Sequence, residues 1–405
     1  MRLRVFISCV SLLPILAALV PGPVRAAPDD FLQPYISTSI THDSNLFRIS
    51  SNVDPVTVLG QPTTADTIRQ LTLGAKLDWK HSRQEVLLDY SYSYARYELF
   101  KGLDYQAPNI MTRWNWQMGN RLSGDMGYSR ITSIGSFENV QRPANTLNTR
   151  QSEYFDGAWQ AMPRMRLNGS VTHSDYNVPD GAVYGNDYIQ YTVAANYTPR
   201  SGNEAGIRGI RQIQKYPVLQ VIPGAPAPVD NGFSQNELLA TLNWLLSGHF
   251  RLNGQAGVVN RNHNQYPERN YTGNTMRGTL SWIASGKTQV NLTAWNEIDP
   301  YDDLTTSYTV TKGVSLGPAW SPTGKVAVSA LVQHYTRDYL GNPSLVINPG
   351  PARQDTVNSA SFSINYQPVL SVNLSGSIQI EQRTSNQLYA DYSDRTLNLS
   401  ASFRF

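Results

Sequence analysis

Six histidines are the first residues to test for chemistry: His42, His81, His173, His249, His263 and His334. His173 is followed by Ser174 and Asp175, the residue types of an acid–base–nucleophile set. Sequence neighbours do not assemble such a set, because its members converge in space rather than along the chain. No His-Glu-x-x-His spacing offers a metal site. Asp299, Asp302 and Asp303, and Asp391 with Asp394, are of the type that ligates Ca²⁺ but lack the spacing of a calcium loop, so solvated loop carboxylates are expected. No catalytic residue, metal ligand or cofactor is expected, and the chain does not read as an enzyme.

A second group of charges is more informative. Lys76, Asp78, Asp89, Arg113, Asp125, Asp156, Arg166, Glu237, Arg277, Glu297, Glu381 and Arg404 sit among Asn, Ser, Thr, Gln and Gly. Each falls on the polar phase of a segment that alternates with period two. Leu71, Leu73, Ala75, Leu77 and Trp79 alternate with Gln70, Thr72, Gly74, Lys76 and Asp78. The same holds for 370–381 and for 397–405, where Leu397, Leu399, Ala401, Phe403 and Phe405 share one phase. Runs of ~9–13 such residues suit strands tilted across a bilayer, whereas soluble strands average ~5–6. If the apolar phase meets lipid, the charged set lines a wet lumen, largely as cross-strand ion pairs.

An aromatic residue just before a tight turn recurs eight times, at Trp79, Trp116, Trp159, Tyr197, Trp244, Trp282, Trp320 and Tyr366, at intervals of 37 to 47 residues. One structural unit is therefore repeated, with one variable loop per unit. Longer loops are expected near 42–65, 98–109, 133–149, 177–186, 217–233, 263–270, 298–304, 338–353 and 384–390. Eight short turns joining nine long-looped hairpins make about eighteen strands, all-β, in one transmembrane antiparallel barrel over 27–405. Both termini then lie on the short-turn, periplasmic side, with the long loops extracellular. Rings at the foot of each strand form an interfacial girdle, with Tyr90, Tyr92, Tyr94 and Tyr308 as its upper counterpart. Lys312 and Arg211 fall on the apolar phase, where a charge near mid-depth costs roughly 2–4 kcal/mol. A bulge or a position near the interface must relieve them. An eight-bladed propeller repeats at a similar period, but it needs four short strands per unit, and each unit here holds two long ones.

Residues 1–26 read as a secretory signal, with Arg2 and Arg4 ahead of an apolar run and Val24-Arg25-Ala26 as the cleavage region. Its removal takes Cys9, the single cysteine, and three basic residues. The formal charge of +3 then falls to zero, 30 basic against 30 acidic residues. Neutrality gives no reason to expect nucleic acid as a partner. A final strand closing on Phe405 resembles the signal by which the outer-membrane assembly machinery recognises its clients. Localisation in the Gram-negative outer membrane follows, with outer-membrane lipid and lipopolysaccharide as partners.

Loop 217–233, with four prolines, is the least polar loop; it either folds inward to constrict the lumen or forms a surface cap. The segment Asp43-Ser-Asn45-Leu46-Phe47-Arg48, just after an opening strand, resembles the EpsL-type outer-membrane proteins of exopolysaccharide clusters, which often accompany exosortase systems. The second acid of that pattern is replaced by Ser44. From their chemistry, Asp43 and Asn45 suit a turn, and Phe47 suits an upper-girdle ring. The resemblance implies a role in making or exporting a polysaccharide; taken with the neutral polar lumen, the leading expectation is a passive polar conduit for the polymer, with periplasmic and inner-membrane export components as partners. The alternatives are a general or sugar-selective diffusion porin and a non-conducting barrel that anchors a biosynthetic assembly.

Overall fold

The computed structural model describes residues 31–135, 137, 147–178, 185–199, 202–219, 228–301, 306–341 and 350–405. Eighteen strands make up nearly all of it: β1 Leu32–Asp43, β2 Asp66–His81, β3 Gln84–Tyr97, β4 Tyr105–Met118, β5 Leu122–Ile134, β6 Leu147–Met162, β7 Met165–Asn177, β8 Asn186–Tyr197, β9 Glu204–Lys215, β10 Phe233–Leu245, β11 Phe250–His263, β12 Tyr271–Ser285, β13 Thr288–Pro300, β14 Tyr308–Thr323, β15 Val326–Leu340, β16 Gln354–Val369, β17 Val372–Ser385 and β18 Tyr392–Arg404. Each strand pairs antiparallel with its sequence neighbours, and β1 also pairs with β18 from Tyr35↔Arg404 to Asp43↔Thr396. The sheet is thus a closed barrel, which leaves no edge unpaired. The start of β1 and the last residue of the chain meet at the short-turn end, where Phe405 donates its backbone N–H to the Pro34 carbonyl at 2.9 Å.

The strand count and the placing of short turns and long loops agree with the sequence reading. The strands run to 12–16 residues, longer than the ~9–11 that a bilayer requires, so their upper ends stand clear of it. The outer face carries the exposed apolar residues, among them Leu71, Leu73, Val193, Ile207, Val314, Leu316 and Leu399. Trp79, Trp159, Tyr197, Trp282, Trp320 and Tyr366 are exposed at the short-turn end; Trp116 and Trp244 are half-buried. Tyr90, Tyr92 and Tyr94 do not form a level upper ring. They climb one strand, β3, opposite Ala75, Leu73 and Leu71. Tyr308 packs at the rim against Tyr271, with ring centroids 4.3 Å apart. Lys312 does face outward, eight residues above Trp320 on its strand and between Asn296 and Thr336. At ~3.3 Å per residue and a tilt of ~40° that is ~20 Å up, near the top of the apolar band. Arg211, between Tyr191 and Asn236, is relieved in the same way.

On the inner face, glycines lie directly opposite aromatic rings. Tyr35 faces Gly74, Tyr154 faces Gly127, and Trp295 and Tyr335 flank Gly313. A Cβ on any of these glycines would run into the ring, so the bare backbone lets the ring lie flat on the wall. Gly313→Leu is therefore expected to lower stability by ~1–3 kcal/mol through overpacking. Gly278→Leu, in open space on the outer face, should cost nothing. Thermal unfolding of the two variants in one detergent checks this, and equal midpoints would contradict it.

Candidate solute path and its rim

The charged residues on the polar phase come together on the inner wall. Arg113 meets Asp125 at 3.0 Å, Lys76 meets Asp89 at 3.6 Å, and Arg277 clasps Glu297 with its Nε at 2.7 Å from one oxygen. The other expected residues find different partners. Asp78 takes Lys80 at 3.1 Å, Glu237 accepts from Gln235, Arg166 donates to Asn168, Glu381 accepts from Tyr392, and Arg404 stands opposite Tyr35. Asp156 faces Asp125 directly across the β5–β6 pair. Two like charges so placed repel, and the Arg113 guanidinium and the Tyr154 hydroxyl, 2.9 Å from Asp125, offset that repulsion.

These side chains remain accessible. Arg113 is 51% exposed, Lys76 48% and Arg277 44%, although all three lie inside a closed wall. At the short-turn end the inner wall bounds a hollow of about 780 Å³ lined by Glu85, Asp125, Asp156, Arg166 and Arg208. A second hollow of about 370 Å³ shares Glu204 and Arg208 and reaches Gln255 and Arg277. Across the barrel, β15–β18 and β1 present a nearly uncharged stretch of hydroxyls, including Ser363, Ser375, Ser400 and Ser37.

Toward the long-loop end the inner face is buried and its charges are tightly partnered. Arg353 is bidentate on Asp355, which also accepts from Tyr339 at 3.0 Å and lies 3.9 Å from Arg383. Arg261 donates to Gln235 at 2.7 Å and stacks over Phe233. Arg261, Asp355 and Arg383 were missing from the sequence-based set, although strand phase alone puts them on the inner wall.

The segment from Asp43 to Arg48 lies at this rim. Asp43 accepts the Asn45 backbone N–H at 2.9 Å, which makes the expected turn. Asn45 bridges the loop, accepting from the Ile49 N–H at 3.0 Å and donating to the Ile49 carbonyl at 2.8 Å. Arg48, at φ 55°, reaches Asp43 at 3.0 Å and Asp394 of β18 at 3.2 Å. Burial opposes the charge on Arg48, but the two carboxylates outweigh it and hold the guanidinium above its usual range. Two expectations are corrected here. Phe47 is not a girdle ring: it is 0% exposed, edge-on to Phe100 and Phe137 at 4.7 Å, in a cluster with Leu46, Ile49, Leu59, Tyr97 and Leu103. Asp394 is not a solvated loop carboxylate: it is buried on the inner face and bonded to Arg48, Ser44 and Thr396. Asp391 accepts from Ser50 at 2.9 Å.

Tyr97 and Ile68 lie on the inner phase of their strands, so loop 44–65 folds against the inner face of the mouth. For loop 217–233 the sequence left an inward fold and a surface cap both open. Its residues 220–227 lie outside the described part, while Val229 and Phe233 are buried. Asp302 and Asp303 also lie outside it. His173 pairs with Asp187 at 2.7 Å on the outer wall rather than with Asp175.

Residues 244–405, from the foot of β10 through β18, match the family model described as "Putative beta-barrel porin 2". No curated protein sequence matches the chain significantly. Among solved structures, OpdK of Pseudomonas aeruginosa with vanillate is 8% identical with a TM-score of 0.52, covering 92% of this chain and 99% of its own. OccK2 (OpdF) of the same organism, in complex with glucuronate, gives 9% and 0.52, with 92% and 98% coverage. A BenF-like porin from Pseudomonas fluorescens Pf-5 gives 7% and 0.54, with 92% and 99% coverage. At such identities the likeness is one of fold: a closed eighteen-stranded barrel of the porin kind, placed in the Gram-negative outer membrane.

Proposed function

We propose that the barrel is a passive diffusion channel for small polar solutes. The observation that carries this is the exposure of Arg113, Lys76 and Arg277 inside a closed wall, because charged side chains stay half-exposed there only if the interior holds water. Lumenal charges of both signs favour modest selectivity over capture of one polymer charge type. The small carboxylates named with OpdK and OccK2 are of a size that the 780 Å³ hollow would admit. Reconstitution in planar bilayers tests the reading: steady ohmic current is expected, and its absence would leave only the anchoring role. Replacing Arg113, Arg166 and Arg208 together by Gln leaves Asp125, Asp156 and Glu204 without these cations around the hollow, while Glu85 keeps Lys80 at 3.0 Å. The reversal potential in a salt gradient is then expected to move several-fold toward cations. An unmoved potential would remove this wall from the ion path.

One observation favours the polysaccharide conduit as a second reading. The hydroxyl stretch of β15–β18 and β1 can exchange hydrogen bonds with sugar at little net cost, since neither partner is left unpaired. In that case the polymer and the periplasmic and inner-membrane export components are partners. The rim segment adds less weight, because Asp43, Asn45, Phe47 and Arg48 each have a structural task. Block of the current by a polysaccharide but not by its monosaccharide would move the assignment to export. Phe405 is proposed as the assembly signal, its backbone tied to Pro34 at the closing seam.

A further inference from the structure

We propose that the outer wall at β18–β1–β2–β3 is a docking surface for a phosphorylated glycolipid of the outer leaflet. Arg69 and Arg96 face outward and stand directly opposite each other in the β2–β3 register. Like charges in that position destabilise a strand pair, and an anion between them removes the penalty. Their acidic neighbours do little: Glu98 is 3.7 Å from Arg69, Asp104 is 3.8 Å from Arg96, and the arginines remain 62% and 58% exposed. Loose exposed pairs of this kind contribute little.

Height supports the same conclusion. Arg69 lies ten residues above Trp79 on one strand. At ~3.3 Å per residue and ~40° of tilt, that is ~25 Å above the lower girdle, the top of the apolar band. Rows of paired residues climb by two residues per hairpin relative to the aromatic turns: the row of Trp79 passes through Trp114, two above Trp116, and Phe155, four above Trp159. With that climb included, outward-facing Arg395 on β18 and His42 on β1 come to about the same level.

Elsewhere on the outer face basic residues stand singly: Arg130 between Ile110 and Gln151, Arg211 between Tyr191 and Asn236, and Lys312 between Asn296 and Thr336, so the facing pair of guanidiniums belongs to this sector. The residues ten positions before the other seven aromatics are Gln106, Thr149, Asp187, Ser234, Thr272, Val310 and Thr356, none of them basic. Below the arginines lie exposed Leu71, Leu73, Tyr90, Tyr94, Leu397 and Leu399. The sector therefore combines an apolar seat for acyl chains with forked donors at the depth of the phosphates, a geometry that guanidinium suits.

The full mature barrel in detergent, titrated with bisphosphorylated lipid A and with the same lipid after phosphatase treatment, tests this by native mass spectrometry. Wild type is expected to hold the phosphorylated lipid at least tenfold more tightly. The R69Q/R96Q double variant should lose that preference, while K215Q, on another sector, keeps it. Equal retention of both lipids by wild type overturns the proposal without recourse to any variant. So does a preference that survives in a folded R69Q/R96Q barrel, or one abolished by equimolar inorganic phosphate, which would make the site one for free phosphate.

Discussion

Arg48→Ala is expected to release loop 44–65 while leaving the barrel closed. Arg48 is the shared cation of two carboxylates, Asp43 and Asp394, whose side chains are 8% and 2% exposed. Removing one member of a buried charge group leaves uncompensated charge and costs about 3–5 kcal/mol. That cost falls on the docking of the loop, because the hydrogen-bonded wall does not depend on it, so the loss appears as local opening rather than global unfolding. Protease added from the long-loop side should then cut between Asp43 and Asp66 in the variant and spare wild type, as peptide mapping would show. The deficit also carries a pH signature. Burial already raises the Asp43 carboxyl above the usual carboxylate range and Arg48 opposes that rise, so in the variant Asp43 holds its proton more readily still when folded than when unfolded. Folded binding of extra protons makes stability fall as pH rises, so the excess cutting should shrink as pH is lowered. Equal cutting of variant and wild type at neutral pH would show that the triad does not hold the loop.

This latch was out of reach of the sequence for a definite reason. Strand phase and the aromatic turns are local signals: alternation reports which side of one strand meets lipid, and Trp79 or Trp320 marks the foot of its own strand without reference to any other. The strand number and the inner charges follow from such signals. Partners do not. Lys76 and Asp89 face each other only once the register Lys76↔Asp89 is known, and Arg48 meets Asp394 only because β1 closes on β18. Contacts distant in sequence turned two readings around. Phe47, a ring placed just past a strand, suits a girdle when its neighbours in sequence are all that is seen. Its actual neighbours, Phe100 and Phe137, come from two other loops. Asp394 is near a loop in sequence, yet the seam buries it. Function follows the same division. The wet polar lumen is visible as a phase of the sequence, whereas the selectivity of the path depends on which inner charges remain exposed after pairing.

The largest packing effect is expected at Phe47→Ala. The ring is fully buried and makes edge-on contacts with Phe100 and Phe137, each at 4.7 Å between centroids. Truncating such a ring typically costs ~3–5 kcal/mol, and no barrel strand has to move to accommodate the loss. The loop has two anchors, this cluster and the Arg48 triad, and together they set its total docking free energy. Once either removal has undocked it, the other has little left to lose. Arg48→Ala and Phe47→Ala are therefore expected to be strongly non-additive, the double variant opening hardly more than the worse single one. Fully additive effects would mean that the two anchors hold separate segments. Because the cluster rests on Tyr97 and Ile68 of the inner face, its release should also change the mouth of the channel. Single-channel recordings of Phe47→Ala are expected to show larger conductance or added open-state noise relative to wild type. If the loop is cut by protease yet the current trace is unchanged, the solute path does not run beneath it, and the constriction must be set deeper on the inner wall, by residues such as Arg277, Glu297 and Arg208.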